Sequence, residues 1–166
     1  MDADSSNVKQ LTHELGYDGG PLWSYDGKKI VYRAEHPSTP ETIADYKDLF
    51  LKGLIRAGHL EIWVMNADGS NKHQGDASWG RQFRSYWLPD GKRIIFASNL
   101  ADPKNACDFD LYVINEGSSR QQRITYHPDF DAFPMFSSDG KRPVWASNRN
   151  CMQQHETNIF LADWVE

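Results

Sequence analysis

The chain has 166 residues, of which 39% are hydrophobic and 13% aromatic, and a formal net charge of −5 at pH 7. The aromatic load excludes a disordered segment, and the length is enough for one domain with a packed core. The acidic balance argues against nucleic acid or an anionic membrane as partner, and no apolar run is long enough for a transmembrane helix.

Met1 is followed by Asp2, Ala3, Asp4, Ser5 and Ser6, so no secretory signal is expected at the start. Val8-Lys9-Gln10-Leu11-Thr12 reads as a polar outer strand. Two apolar runs, at 20–24 and 29–34, then flank Asp26-Gly27-Lys28, a turn in which glycine tolerates positive φ. Thr39-Pro40-Glu41 supplies an N-cap and a first turn, and Ile43, Tyr46, Phe50 and Leu54 recur at helical spacing. The spacing predicts a helix at about 40–53, inserted against the rim of the sheet. A third strand follows at 61–65, with a weak outer strand near 72–74.

The same pattern returns twice. Asp90-Gly91-Lys92 and Asp139-Gly140-Lys141 repeat the turn at spacings of 64 and 49 residues. Met1-Asp2-Ala3-Asp4 is echoed by Met65-Asn66-Ala67-Asp68, and more loosely from Ile114, in the same phase. Three residues before each Asp stand Trp23, Trp87 and Phe136; six after it stand Tyr32, Phe96 and Trp145. Further strands are predicted at 84–88, 93–98, 110–114 and 121–125, then at 133–137, 142–147 and 158–162. Lys29-Ile30-Val31-Tyr32 and Arg93-Ile94-Ile95-Phe96 do not alternate apolar with polar, as expected of strands covered on both faces. Short strands repeated in this way predict an all-β fold of three four-stranded antiparallel propeller blades with one short helical insertion. The expected organisation is an outer strand at 1–13 belonging to a blade completed by another chain or a longer parent, a blade with its insertion at 14–78, a second blade at 79–126, and a third at 127–166 lacking its outer strand.

Ile62-Trp63-Val64-Met65-Asn66-Ala67-Asp68-Gly69-Ser70, followed by Asp90-Gly91-Lys92-Arg93-Ile94-Ile95-Phe96-Ala97-Ser98-Asn99, resembles the TolB-like propeller repeat. Asp139-Gly140-Lys141 leading to Trp145-Ala146-Ser147-Asn148-Arg149 is similar. The resemblance implies a periplasmic or cell-envelope protein that binds other proteins; the same repeat also caps prolyl-oligopeptidase-like hydrolases. The family's Ser-Pro-Asp-Gly turn is Ser24-Tyr25-Asp26-Gly27 and Ser137-Ser138-Asp139-Gly140 here, Pro143 interrupts a second strand, and Ser5 replaces a turn glycine.

No nucleophile elbow, zinc-protease helix, phosphate loop or dinucleotide fingerprint is present, so no catalytic residue, metal or cofactor is expected. Asp18, Gln82 and Asp131 each stand eight residues before a turn Asp, with Arg84 and Asp129 close in phase. In a closed ring they are expected to form a mostly acidic collar at one channel mouth, suited to a cation or a basic peptide. The bland reading is that they cap the innermost turns. Asp108-Phe109-Asp110 and Asp129-Phe130-Asp131 lack a calcium loop, and Cys107 and Cys151 fall in equivalent loops, as free thiols or a disulfide. Trp79, out of register with every repeat, is the candidate exposed contact residue. Three blades leave two apolar faces open, so a homodimer closing a six-bladed ring is expected; the alternatives are a half cut from a longer parent and a purely structural half-propeller without a ligand.

Overall fold

A computed structural model of the chain describes residues 4–55, 58, 60–75, 82–105, 107–128, 130–153 and 156–165. The first sheet contains β1 (Tyr17–Trp23), β2 (Lys29–Glu35), β3 (Glu61–Asn66) and β4 (His73–Gln74), with helix α1 (Pro40–Leu51) inserted between β2 and β3. The second contains β5 (Gln82–Trp87), β6 (Arg93–Ser98), β7 (Asp110–Asn115) and β8 (Gln121–Arg123). The third contains β9 (Asp131–Phe136), β10 (Pro143–Ser147) and β11 (Asn158–Leu161). All pairings within the sheets are antiparallel between sequence neighbours. Residues 8–12, expected as an outer strand completing a blade with another chain, form no strand within this one. Leu11 instead packs against the first sheet beside Ile30, Tyr32 and Met65.

Each opening hairpin is closed by its turn Asp. Ser24 Oγ donates to Asp26 Oδ1 at 2.7 Å and accepts the Lys29 N–H at 2.9 Å, while the Lys28 N–H reaches Asp26 Oδ1 at 3.1 Å. Ser137, Asp139, Lys141 and Arg142 repeat this arrangement. Where Leu88 replaces the serine, Asp90 Oδ1 itself accepts both the Lys92 and Arg93 N–H groups, at 2.8 and 3.0 Å. Gly27, Gly91 and Gly140 sit at φ +69°, +65° and +72°, the left-handed region that favours glycine. Pro143 is tolerated because it opens β10, where its carbonyl accepts from the Ala162 N–H at 3.2 Å.

The sheets stack face to face. β5 lies against β1, β2 and β3, and β9 against β5, β6 and β7, whereas β4 and β8 do not meet. The sheets therefore converge at their first strands and splay at their fourth, the arrangement of propeller blades around an axis. Val31, Ile62 and Val64 of the first blade meet Trp87, Ile94, Phe96, Tyr112 and Ile114 of the second. Ile95, Ala97, Leu111 and Val113 on the second blade's other face meet Phe136 and Trp145 of the third. Lys29 Nζ crosses the first junction to both oxygens of Glu116, at 2.7 and 2.6 Å. Tyr25 stands where the family's turn has proline. Its ring meets Tyr86 edge-on at 6.1 Å and its hydroxyl donates to the Phe136 carbonyl at 3.2 Å, spanning the second blade.

The helix begins as expected. Thr39 and Thr42 form a reciprocal capping box and Pro40 opens the first turn. Its apolar face is less engaged than its spacing implied. Tyr46 donates to the Gly16 carbonyl at 2.7 Å, but Phe50 and Leu54 face solvent and no helical residue is buried.

Replacing Trp87, which is fully buried, with alanine is expected to destabilise the chain by about 3–5 kcal/mol in urea denaturation, while Tyr25→Phe costs roughly 1 kcal/mol through one lost hydrogen bond. The Ser24 and Ser137 hydroxyls, then the N–H groups of Lys28 and Lys141, hold the Asp26 and Asp139 carboxyls below their ordinary 3.8. Depressed folded-state values stabilise the chain above the unfolded value and lose that stability as pH falls through the folded one. NMR titration of a Ser24→Ala variant is expected to show the Asp26 carboxyl rising toward 3.8, with a shallower acid-side loss of stability.

Candidate functional site

The site grows from one irregularity repeated three times. Opposite the buried second-strand aromatics, the register of each first strand shifts: between Gly19 and Leu22, between Phe83 and Ser85, and between Ala132 and Met135. At the same repeat position in each bulge, Gly20, Arg84 and Phe133 take φ of +61°, +36° and +57°. Glycine adopts this geometry freely. For Arg84 and Phe133 it costs about 1–3 kcal/mol each, a strain that tends to gather where function uses it. Both side chains are exposed, and the Arg84 guanidinium lies over the Phe133 ring at 5.7 Å. The ring also packs against Phe130 at 6.0 Å.

Two residues before each bulge position come Asp18, Gln82 and Asp131, paired in register with Ala34, Ser98 and Ser147. Asp131 is fully buried, accepts from Trp145 Nε1 at 3.1 Å, and pairs with the Arg149 guanidinium. Arg149 also reaches Ser147 Oγ and lies over the Trp145 ring. Asp18 meets His36 Nε2 at 3.0 Å, with the His36 ring against Trp63. Burial, with the Asp18 charge adding to it, pushes the Tyr32 hydroxyl up to about 12.

The repeat makes these two clusters equivalent. Tyr32, Asp18 and His36 occupy the positions of Trp145, Asp131 and Arg149, the basic residue standing 18 residues after the acid in both. In the second blade the corresponding residues are Phe96, Gln82 and Leu100. The aromatic there has no polar atom, an amide replaces the acid, and an apolar residue replaces the basic one. His36 and Arg149 were missed in the sequence, although that shared offset could have found them. Of the carboxylates expected to form an acidic collar, Asp131 is buried against Arg149 and Asp18 is hydrogen-bonded to His36 within its own blade. Arg84, on the same inner row, is exposed and positively charged.

The side chain of Gln82 is not described, and Asp129 and Trp79 lie outside the described residues. Asp110, weighed as a calcium ligand, is buried beside Arg123 Nη2 at 2.6 Å; desolvation nevertheless raises its carboxyl above 3.8. Cys107 and Cys151 are exposed, free thiols.

Blades converging on a bulged inner row define a β-propeller, and the chain has the TolB-like form of that fold. TolB from Acinetobacter baumannii superposes with a TM-score of 0.65 at 21% identity, covering 92% of this chain and 31% of that one. A prolyl endopeptidase gives the same TM-score at 13% identity, over 99% of this chain and 22% of that one. Dipeptidyl-peptidase 5 of Porphyromonas gingivalis is 32% identical over 82 residues, 46% of this chain and 12% of that protein. The chain therefore spans under a third of each. No family model matches it.

Asp131→Asn leaves Arg149 without its carboxylate. It is expected to lower stability by on the order of 3 kcal/mol in denaturant titration, with Asp18→Asn costing less because both partners there keep some solvent.

Proposed function

We propose that the chain is a non-catalytic propeller scaffold for protein binding that presents its inner row to a partner once its open faces are covered. The observation that carries this reading is that one blade junction is built twice inside the chain and left in two uncovered halves. Trp87 and Phe136, the junction aromatics, are buried, whereas Trp23 in the same repeat position is 58% exposed. Ile62 and Val64 are fully buried at the first junction, whereas their repeat equivalents on the third blade, Ile159 and Leu161, are 77% and 58% exposed. The first blade's open face thus carries the aromatic half of the junction and the third blade's carries the aliphatic half.

A second copy supplies the missing half at both ends, closing a ring of six blades. Residues 8–12 of one copy, aligned by the repeat with β8 and its continuation at 121–125, would then lie along the free edge of β11 in the other. By the TolB-like resemblance we assign the assembly to the periplasm or cell envelope, with an envelope protein or peptide as the further partner. Sedimentation velocity is expected to give twice the chain mass, and Trp23→Ala to shift the equilibrium to the single chain. A folded wild-type chain that stays monomeric at high concentration would reject ring closure.

The match to Dipeptidyl-peptidase 5 favours a second reading, a propeller domain of a peptidase. A coding sequence that continues into a domain with a serine nucleophile and its histidine would support it.

A further inference from the structure

We infer that Arg84 and Phe133 together form a recognition element for a carboxylate-bearing peptide segment with an apolar neighbour, a partner opposite in charge to the one an acidic collar would take. The inference rests on the binding-scaffold reading and names the chemistry of its partner. Three observations carry it.

The first concerns charge. Asp131 is fully buried and paired with the Arg149 guanidinium, and Asp18, with 18% of its side chain exposed, is hydrogen-bonded to His36 Nε2, so neither stands open as a collar for a basic ligand would require. Arg84 is exposed, and among the described residues its guanidinium makes no ion pair; its contact there is the face of Phe133. A guanidinium resting on an aromatic ring keeps its N–H edge free, in the planar fork that matches a carboxylate.

The second concerns strain. Arg84 and Phe133 hold left-handed backbone where the first blade uses Gly20. The first blade builds the same bulge without a side chain, so the fold does not require one at this position. Both strained residues nevertheless point an exposed side chain into one pair. The third concerns scale. One cation beside one ring suits a single carboxylate and an adjoining apolar group. The chain's net charge of −5 opposes an extended polyanion such as nucleic acid or an anionic bilayer.

The test uses the full chain and a fluorescein-labelled, N-acetylated Gly-Glu-Phe-Glu-Gly amide, with the Gln-for-Glu and Lys-for-Glu analogues as controls. Sedimentation detected at the dye reports peptide binding and the oligomeric state together, so a failure of recognition is distinguishable from a failure of the ring. The acidic peptide is expected to bind about tenfold or more tightly than the Gln analogue, as a charged hydrogen bond implies, and the Lys analogue not to bind. Arg84→Gln and Phe133→Leu are each expected to reduce binding of the acidic peptide, Arg84→Gln by about tenfold.

Arg84→Gly separates recognition from folding. It is expected to abolish binding while holding or raising the melting temperature, because glycine relieves the left-handed strain. A fall of about 4 °C or more would make Arg84 a structural residue and overturn the inference. Equal binding of the acidic and Gln peptides, or preference for the Lys analogue, would overturn it as well.

Discussion

Everything in this chain depends on one requirement: its sheets carry apolar side chains on both faces, and each must be covered by another sheet. Val31 and Tyr32 are adjacent in β2 and point to opposite sides, yet both are buried. In the second blade, Ile94 and Ile95 do the same. A lone sheet with these strands would expose a layer of hydrocarbon, at about 25 cal/mol for every Å² left in water. Stacking removes that cost and brings the first strands together, so the inner row, its bulges and its paired charges all follow from how the faces are covered.

The fold was legible because this requirement leaves marks that survive loop variation. The Asp-Gly-Lys turns and their flanking aromatics stay in phase although the units differ in length by fifteen residues. The strand cores came out where periodicity put them, with first strands starting two to three residues earlier than expected because the segment before each bulge also pairs. Helix α1 was legible from its cap, but its contacts were not: spacing shows which residues share a face, and only packing shows whether anything lies against it. The outer strand at 8–12 does not form in the single chain, where Leu11 packs on the face of the first sheet instead of the segment pairing along an edge.

The site was less legible than the fold. Asp18, Gln82 and Asp131 were found by phase, but a carboxylate's availability depends on its neighbours. Those neighbours, His36 and Arg149, stand 18 residues downstream at the far end of the second strand. The left-handed backbone at Arg84 and Phe133 leaves no trace in residue type, because neither residue favours it. Only Gly20, in the equivalent position, hinted that the inner strand leaves regular geometry there.

The insertion carrying α1 bears on how such a protein can diversify. It joins the second strand to the third, the same connection that in the other blades holds Cys107 and Cys151. The helix buries no residue of its own and leans on the blade chiefly through the Tyr46 hydroxyl. Beyond the paired His36 and Arg149 at its start, this connection can therefore drift in length and sequence at little thermodynamic cost, so new loops can be grafted there while the stacked interior stays as it is.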